Sequence, residues 1–414
     1  MTKTEIMEAA YRVWSRELYA SDSLSLVARE LRVSKAALYR HFRNKQALLD
    51  AMKVQFFDDF TGFIRADYER ALKNEDKTES MFILLRVVSE FFARNVHSFV
   101  YSMIKLHDRE MNNRDMQDEL GKRGVNFGTF RHSIKNAYRF DPLVMRLSFA
   151  TLTFYMAGFH KTGNSLKKTP EEAAIAEITG ITGEIIGNGL GYTNEEIDSV
   201  DYRRLEKRIT GTADTIKDDP LLKAVAGAVA EAGPWEASME QVARRSGLSK
   251  SSLYSHFKSR QDMLHQLFMT ESLRIIEFAR QGMQQSAAPQ EQLYLGIASI
   301  AEYLRSKPDI LVATDWIRTR RLNFNPGDKK HTGPMTESLR LFDEMNIRSL
   351  RGGSSPFWKI SSKKEFTGIS PWILFLIINT LMGKTPGQAL GKTPNSDIRQ
   401  LYRFITLGIG GFKI

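Results

Sequence analysis

Residues 24–49 read LSLVARELRVSKAALYRHFRNKQALL, and residues 239–264 read MEQVARRSGLSKSSLYSHFKSRQDML. The two stretches align without a gap at a constant offset of 215. Identical pairs stand at Val27/Val242, Ala28/Ala243, Ser34/Ser249, Lys35/Lys250, Leu38/Leu253, Tyr39/Tyr254, His41/His256 and Phe42/Phe257. Chance does not produce such a run, so the chain reads as a duplicated unit of about two hundred residues. Caps place a short helix, a tight turn and a second short helix in each copy. Ser238 with Gln241 three residues on is a capping box, and Ser23 is its counterpart in the first copy. Ser34 and Ser249 stand where they would cap the next helix. Gly247 lies at the turn, which calls for a left-handed residue. Arg32 occupies the matching place, where a side chain costs about 1 kcal/mol.

The second short helix of each copy divides into two faces. Leu38, Phe42, Leu253 and Phe257 are expected to pack inward. Lys35, Ala36, Ala37, Tyr39 and Arg40, with Lys250, Ser251, Ser252, Tyr254 and Ser255, are left outside. Small residues near the start of such a helix let its backbone approach base edges in a major groove. The tyrosine hydroxyls, His41, His256 and the bases Lys45 and Arg260 that open the following helix suit phosphates, which fix register without reading sequence. With the caps Ser34 and Ser249, these form the candidate DNA-binding set. Plainer readings stand beside it: a helix-packing tyrosine, a structural histidine, a solvated lysine.

The runs from Val33 to Lys45 and from Leu248 to Arg260, each with Leu-Tyr-x-His-Phe after a capped turn, resemble the tetracycline-repressor (TetR) family of bacterial regulators. The resemblance covers the two heads, about sixty residues each. It implies an all-α chain of two units in tandem. Each unit would have a three-helix DNA-binding head and a helical body with an effector pocket and a dimerising helix pair. It also implies repression of transcription as the default, and a cytoplasmic protein. Family members usually carry one head per chain and dimerise, whereas this chain carries two.

Outward from the heads, the expected division is head 1 at 1–50, body 1 at 51–191, a linker at 192–218, head 2 at 219–265 and body 2 at 266–414. Lys168-Thr169-Pro170 and Lys392-Thr393-Pro394 each follow an apolar stretch, Phe154 to Phe159 and Trp372 to Met382, so both halves are expected to close with a pair of helices. Those pairs would together form a four-helix interface, making a single-chain pseudo-dimer. Homodimerisation stays open beside it. The linker is polar, contains Gly211-Thr212-Ala213-Asp214, and is expected to hold a short helix at Tyr202–Ile209. Extended, its roughly 28 residues reach about 90 Å. Asp219-Pro220 is a cap followed by proline at the first helical position, where the second unit opens. One chain is then expected to span half-sites about 34–36 Å apart. The unlike faces of its heads predict an asymmetric operator.

Composition agrees and excludes alternatives. A net charge of +11 favours a polyanionic partner, with nucleic acid ahead of an anionic membrane. There is no cysteine, hence no disulfide, thiolate metal site or cysteine nucleophile. The N-terminus lacks the apolar block of a signal peptide. The longest apolar run, Trp372 to Met382, falls short of the ~20 residues of a spanning helix and reads as a buried one. Neither cofactor nor metal is expected: His97, His107 and Glu110 lack metal-site spacing. Gly387, Gly391 and Gly408 to Gly411 are scattered, and no phosphate loop or nucleophile elbow argues for an enzyme. Phe91, Phe92, Phe99, Tyr101 and Met103 could line an effector pocket, but their helical spacing favours plain core. Trp316 has the same standing, and Arg318 to Arg321 read as a solvated face. A helical interaction protein whose heads have lost DNA binding is the rival reading.

Overall fold

The computed structural model describes residues 1–16, 23–103, 113–139, 142–161, 171–209, 219–233, 237–321, 369–382 and 394–413. Within these the chain is helical, apart from an isolated bridge between Tyr138 and Lys413. Three helices form the first head: α1 (Lys3–Arg16), α2 (Leu24–Glu30) and α3 (Lys35–Tyr39). Asn44 then caps α4 (Lys45–Lys73), which leaves the head and runs without a break into the body. The body continues with α5 (Lys77–Arg94), α6 (Val96–Tyr101), α7 (Asn113–Gly121), α8 (Phe127–Ser133), α9 (Pro142–Lys161) and α10 (Glu172–Asn188). The connecting stretch forms α11 (Asn194–Asp198) and α12 (Tyr202–Ile209). The second half repeats the plan. Its head is α13 (Pro220–Ala232), α14 (Met239–Ser246) and α15 (Lys250–His256), opened by Asp219 and Pro220 as expected. Its body contains α16 (Arg260–Met283), α17 (Pro289–Ser306), α18 (Pro308–Arg321), α19 (Ile369–Met382) and α20 (Asn395–Leu407), followed by a 3₁₀ turn at Gly408–Phe412.

Aromatic residues fill the first body. Phe56 and Phe60 of α4 face Phe91 and Phe92 of α5, with edge-on rings 5.1 Å apart for Phe60 and Phe91. Phe91, Phe92, Phe99 and Tyr101 are all buried, and Met103 packs at the edge, so the aromatic stripe is core. His97 shares a 2.7 Å hydrogen bond with Ser15 of α1, joining head to body. Trp316 and Arg318 to Arg321 lie on α18, their side chains outside the described residues, as are His107, Glu110, Gly387, Gly391 and both Lys-Thr pairs before proline.

The halves meet through their closing helices. Trp372 of α19, fully buried, donates its indole N–H to Thr151 of α9 at 3.1 Å, and Phe375 packs on Phe154. Where α10 and α20 end, Gly189 and Gly408 hold left-handed backbone and back against each other's chain. A Cβ on Gly189 would sit 2.5 Å from the Ile405 carbonyl, and one on Gly408 2.5 Å from that of Ile186. The amides of Leu190 and Tyr192 donate across the junction to the carbonyls of Ile405 and Thr406.

Within the stretch from 192, the expected short helix at Tyr202–Ile209 is present as α12, and both α11 and α12 dock on the second body. The cause lies in its apolar minority: Ile197, Val200, Leu205 and Ile209 are buried although the surrounding sequence is polar. Residues 210–218 lie outside the described chain.

Candidate nucleic-acid interface

Each recognition helix is held by local chemistry that the sequence declares. Ser34 accepts the Ala37 amide at 3.2 Å and Ser249 the Ser252 amide at 3.0 Å, so α3 and α15 start at their predicted caps. Ser23 caps α2, and the Ser238–Gln241 capping box on α14 is formed in both directions. Arg32 has φ 55 and Gly247 φ 71, which makes the two turns alike although only one has glycine. The preceding helix is tied back by an ion pair in each head, with the charges exchanged. Arg12 meets Glu30 at 3.6 Å in the first, and Glu231 meets Arg245 at 2.6 Å in the second.

The inward set is buried: Leu38 and Phe42 in one head, Leu253 and Phe257 in the other. The opposite face is exposed. Tyr39 is 49% accessible and Tyr254 51%, which sets aside the reading of either as a packing tyrosine. Lys35, Ala36 and Arg40 are exposed beside Tyr39, and Lys250, Ser251 and Ser255 beside Tyr254, while Ala37 and Ser252 are half-buried one turn in. Ser255 donates its hydroxyl to the Ser252 carbonyl at 2.6 Å, and Ser251 shares a hydrogen bond with Ser249. The second face is therefore a lattice of small hydroxyls, where the first is methyl and guanidinium.

The flanking groups divide the heads further. His256 is exposed and His41 half-buried. Lys45 is exposed, whereas Arg260 is half-buried and donates its Nε–H to the Ala237 carbonyl at 2.8 Å. Arg43 and Lys258, exposed between the recognition helix and the next, are basic neighbours outside the set derived from sequence. Their signal was present in the motif, one residue after each Phe. Just beyond, Asn44 and Ser259 cap α4 and α16, placing two helix N-termini by the same face, where backbone amides and the helix dipole attract anions. Among the described residues no group of three or more His, Asp or Glu converges as a metal site, and no helix is long and apolar enough to cross a membrane.

Comparison with known proteins agrees with the repeat. Among solved structures, the transcriptional regulator FadR from Bacillus subtilis, in complex with stearoyl-CoA, is 16% identical. It aligns with 46% of this chain over 97% of its own, with a TM-score of 0.34. The fatty acid degradation regulator FadR from Bacillus halodurans is 16% identical, with coverages of 46% and 97% and a TM-score of 0.33. PfmR, a TetR family transcriptional regulator from Thermus thermophilus, is 18% identical, covering 46% and 96%, with a TM-score of 0.29. The family model "Bacterial regulatory proteins, tetR family" matches twice, at residues 6–52 and 221–267, the two head regions just described. Both heads are therefore heads of the tetR family of bacterial regulatory proteins, carried twice in one chain as a tandem duplication.

Proposed function

We infer that the protein is a sequence-specific DNA-binding transcriptional repressor whose two unlike heads read the two ends of an asymmetric operator. The observation that carries this reading is the pair of exposed recognition faces. They share Lys35/Lys250 and Tyr39/Tyr254 but differ at Ala36, Ala37 and Arg40 against Ser251, Ser252 and Ser255. Shared positions suit phosphate, which every sequence presents, and differing positions suit base edges, where specificity is set. Ser34 and Ser249 act by capping, and His41, His256, Lys45 and Arg260 flank the backbone of the duplex.

In this reading the functional division is 1–50 and 219–265 for the heads, 51–191 and 266–414 for the bodies, and 192–218 between them. The closing helices α9, α10, α19 and α20 act as the interface of a single-chain pseudo-dimer, in support of which Trp372 donates to Thr151 across the halves. A small-molecule effector would act through the body, since α1 rests on α6 through Tyr11 and Tyr101 and through Ser15 and His97.

The test is DNase footprinting on DNA upstream of its own gene and on a pool selected from random sequence, across several salt concentrations. Tyr39→Ala and Tyr254→Ala are each expected to shorten the footprint at a different end and to weaken binding by about 1–2 kcal/mol. Binding should weaken steeply with salt. A perfect inverted repeat would remove the asymmetric operator. Absence of any footprint at low salt would remove DNA binding and leave an interaction protein.

A further inference from the structure

A groove of about 440 Å³ runs along the first body between α5 and α10. Phe82, Ile83 and Thr179 line it, and α10 turns Gly180 and Gly183 toward it. The second body contains the corresponding helices, α17 and α20, and there the groove is filled by α12. Leu205 and Ile209 are buried in it, and Tyr202 packs edge-on against Tyr294 of α17 and Tyr402 of α20. Arg204 pairs with Glu291. Glu206 takes two hydrogen bonds from Arg399, at 2.8 and 2.6 Å, and a third from Tyr294.

The repeat gives the register between the two grooves. Helices α5 and α17 are both 18 residues long; their third residues are Glu79 and Glu291, and their sixth are Phe82 and Tyr294. Helices α10 and α20 both run into a left-handed glycine, Gly189 and Gly408. Nine residues before these stand Gly180 and Arg399, and six before stand Gly183 and Tyr402. The two side chains that grip α12 in the second body are therefore hydrogen atoms in the first, while the acid that meets Arg204 is kept as Glu79.

Those glycines answer no close approach within the chain: a Cβ at either meets nothing within 4 Å among the described residues. Glycine inside a helix is nonetheless unfavourable relative to alanine. The lining is also acidic, with Glu79, Glu90, Glu172 and Glu184 against Arg86 and Arg94. Arg94 is engaged by both Glu90 and Glu172. The complement of such a surface is a cation-bearing helix. α12 is one, with sequence YRRLEKRI and apolar residues at Tyr202, Leu205 and Ile209.

We propose that the α5–α10 groove docks a short, basic amphipathic helix of a partner protein, as the α17–α20 groove holds α12. The partner helix presents apolar residues at positions i, i+3 and i+7, with the bulky ones over Gly180 and Gly183. An Arg or Lys meets Glu79. This is helix-in-groove recognition, independent of the DNA-binding heads.

The probe is a fluorescein-labelled peptide with the sequence of residues 200–209, stapled because so short a helix is marginal in water. Its anisotropy is followed against the full chain. The resident α12 is tethered at an effective concentration in the millimolar range, so micromolar peptide reports on the first groove. Saturable binding is expected, weakened about tenfold or more by Glu79→Lys, and strengthened by Gly180→Arg combined with Gly183→Tyr, which installs in the first groove the two side chains that grip α12 in the second. The double variant has room for both side chains, and an undiminished Tm confirms its fold. Absence of saturable binding up to millimolar peptide overturns the proposal, as does equal binding to either variant. Self-association of the wild-type chain abolished by Glu79→Lys, read by sedimentation, would make a second copy the occupant and overturn the assignment to a partner.

Discussion

Two residues of the reading heads show how far one side chain can be interpreted. Gly247 and Arg32 share a left-handed turn, and a Cβ on Gly247 would meet nothing within 4 Å. Replacement of Gly247 therefore costs backbone conformation alone: Gly247→Ala should lower stability by about 1 kcal/mol in urea unfolding, with α15 intact. A loss several times larger would mean that the turn is held by more than its φ. Deeper in, burial holds His160 neutral, with its pKa brought down to about 4 while Nε2–H donates to the Phe92 carbonyl. The unfolded chain binds its proton near pH 6.5, so this contribution is present at neutral pH and is lost as pH falls from about 6.5 toward 4. Between pH 7 and 5 the loss is about 2 kcal/mol, which His160→Gln should flatten when stability is compared at the two pH values. The turn and its caps were legible because they are local, each set by residues within four positions. His160 was not, because its neighbours in space, Phe92 and Phe99, lie about sixty residues away in sequence.

At the scale of elements, α12 separates what a pattern shows from what it hides. Its helix was legible at Tyr202–Ile209, and its destination was not. The groups that receive it, Tyr294, Arg399 and Tyr402, belong to another half, and no local periodicity couples them to Glu206. The element's polar composition pointed only to a linker. Glu206 is the element's anchor: burial raises its pKa, but the hydrogen bonds from Arg399 and Tyr294 outweigh that and leave it below the ordinary carboxylate range. Glu206→Ala strands the Tyr294 hydroxyl and the Arg399 guanidinium partly out of water. It should cost about 1–3 kcal/mol and speed amide exchange across α12 first. Unchanged exchange there would show that the apolar stripe alone holds the helix. The glycines at 408–411 looked scattered for the same reason. Gly408 gains its meaning only from Gly189, its counterpart across the junction.

For the whole molecule, the question is whether the halves are joined by their interface or only by the chain. The sequence made a pair of closing helices legible in each half, because apolar runs precede both Lys-Thr-Pro triplets. It could not show which side chains cross. In the fold, α9 and α10 meet α19 and α20 over a surface that buries Trp372, Phe375 and Phe154, and backbone bonds from Leu190 and Tyr192 cross beside it. An interface with a buried tryptophan and paired backbone groups resembles a domain core cut in half more than a transient contact. Severing residues 210–218 with an engineered protease site should therefore leave one particle of 47.2 kDa by light scattering. Its two-ended footprint should also survive, since the heads stay connected through the bundle. Adding Trp372→Ala removes the largest side chain at the crossing and costs about 3–5 kcal/mol. The cut molecule should then fall apart on dilution while the uncut variant stays whole, because the chain still supplies a high effective concentration. If the cut wild-type chain separates at once, the linker alone holds the halves, and the spacing between its heads is set by a tether rather than by a rigid bundle. A footprint on two fixed half-sites would then have no structural origin.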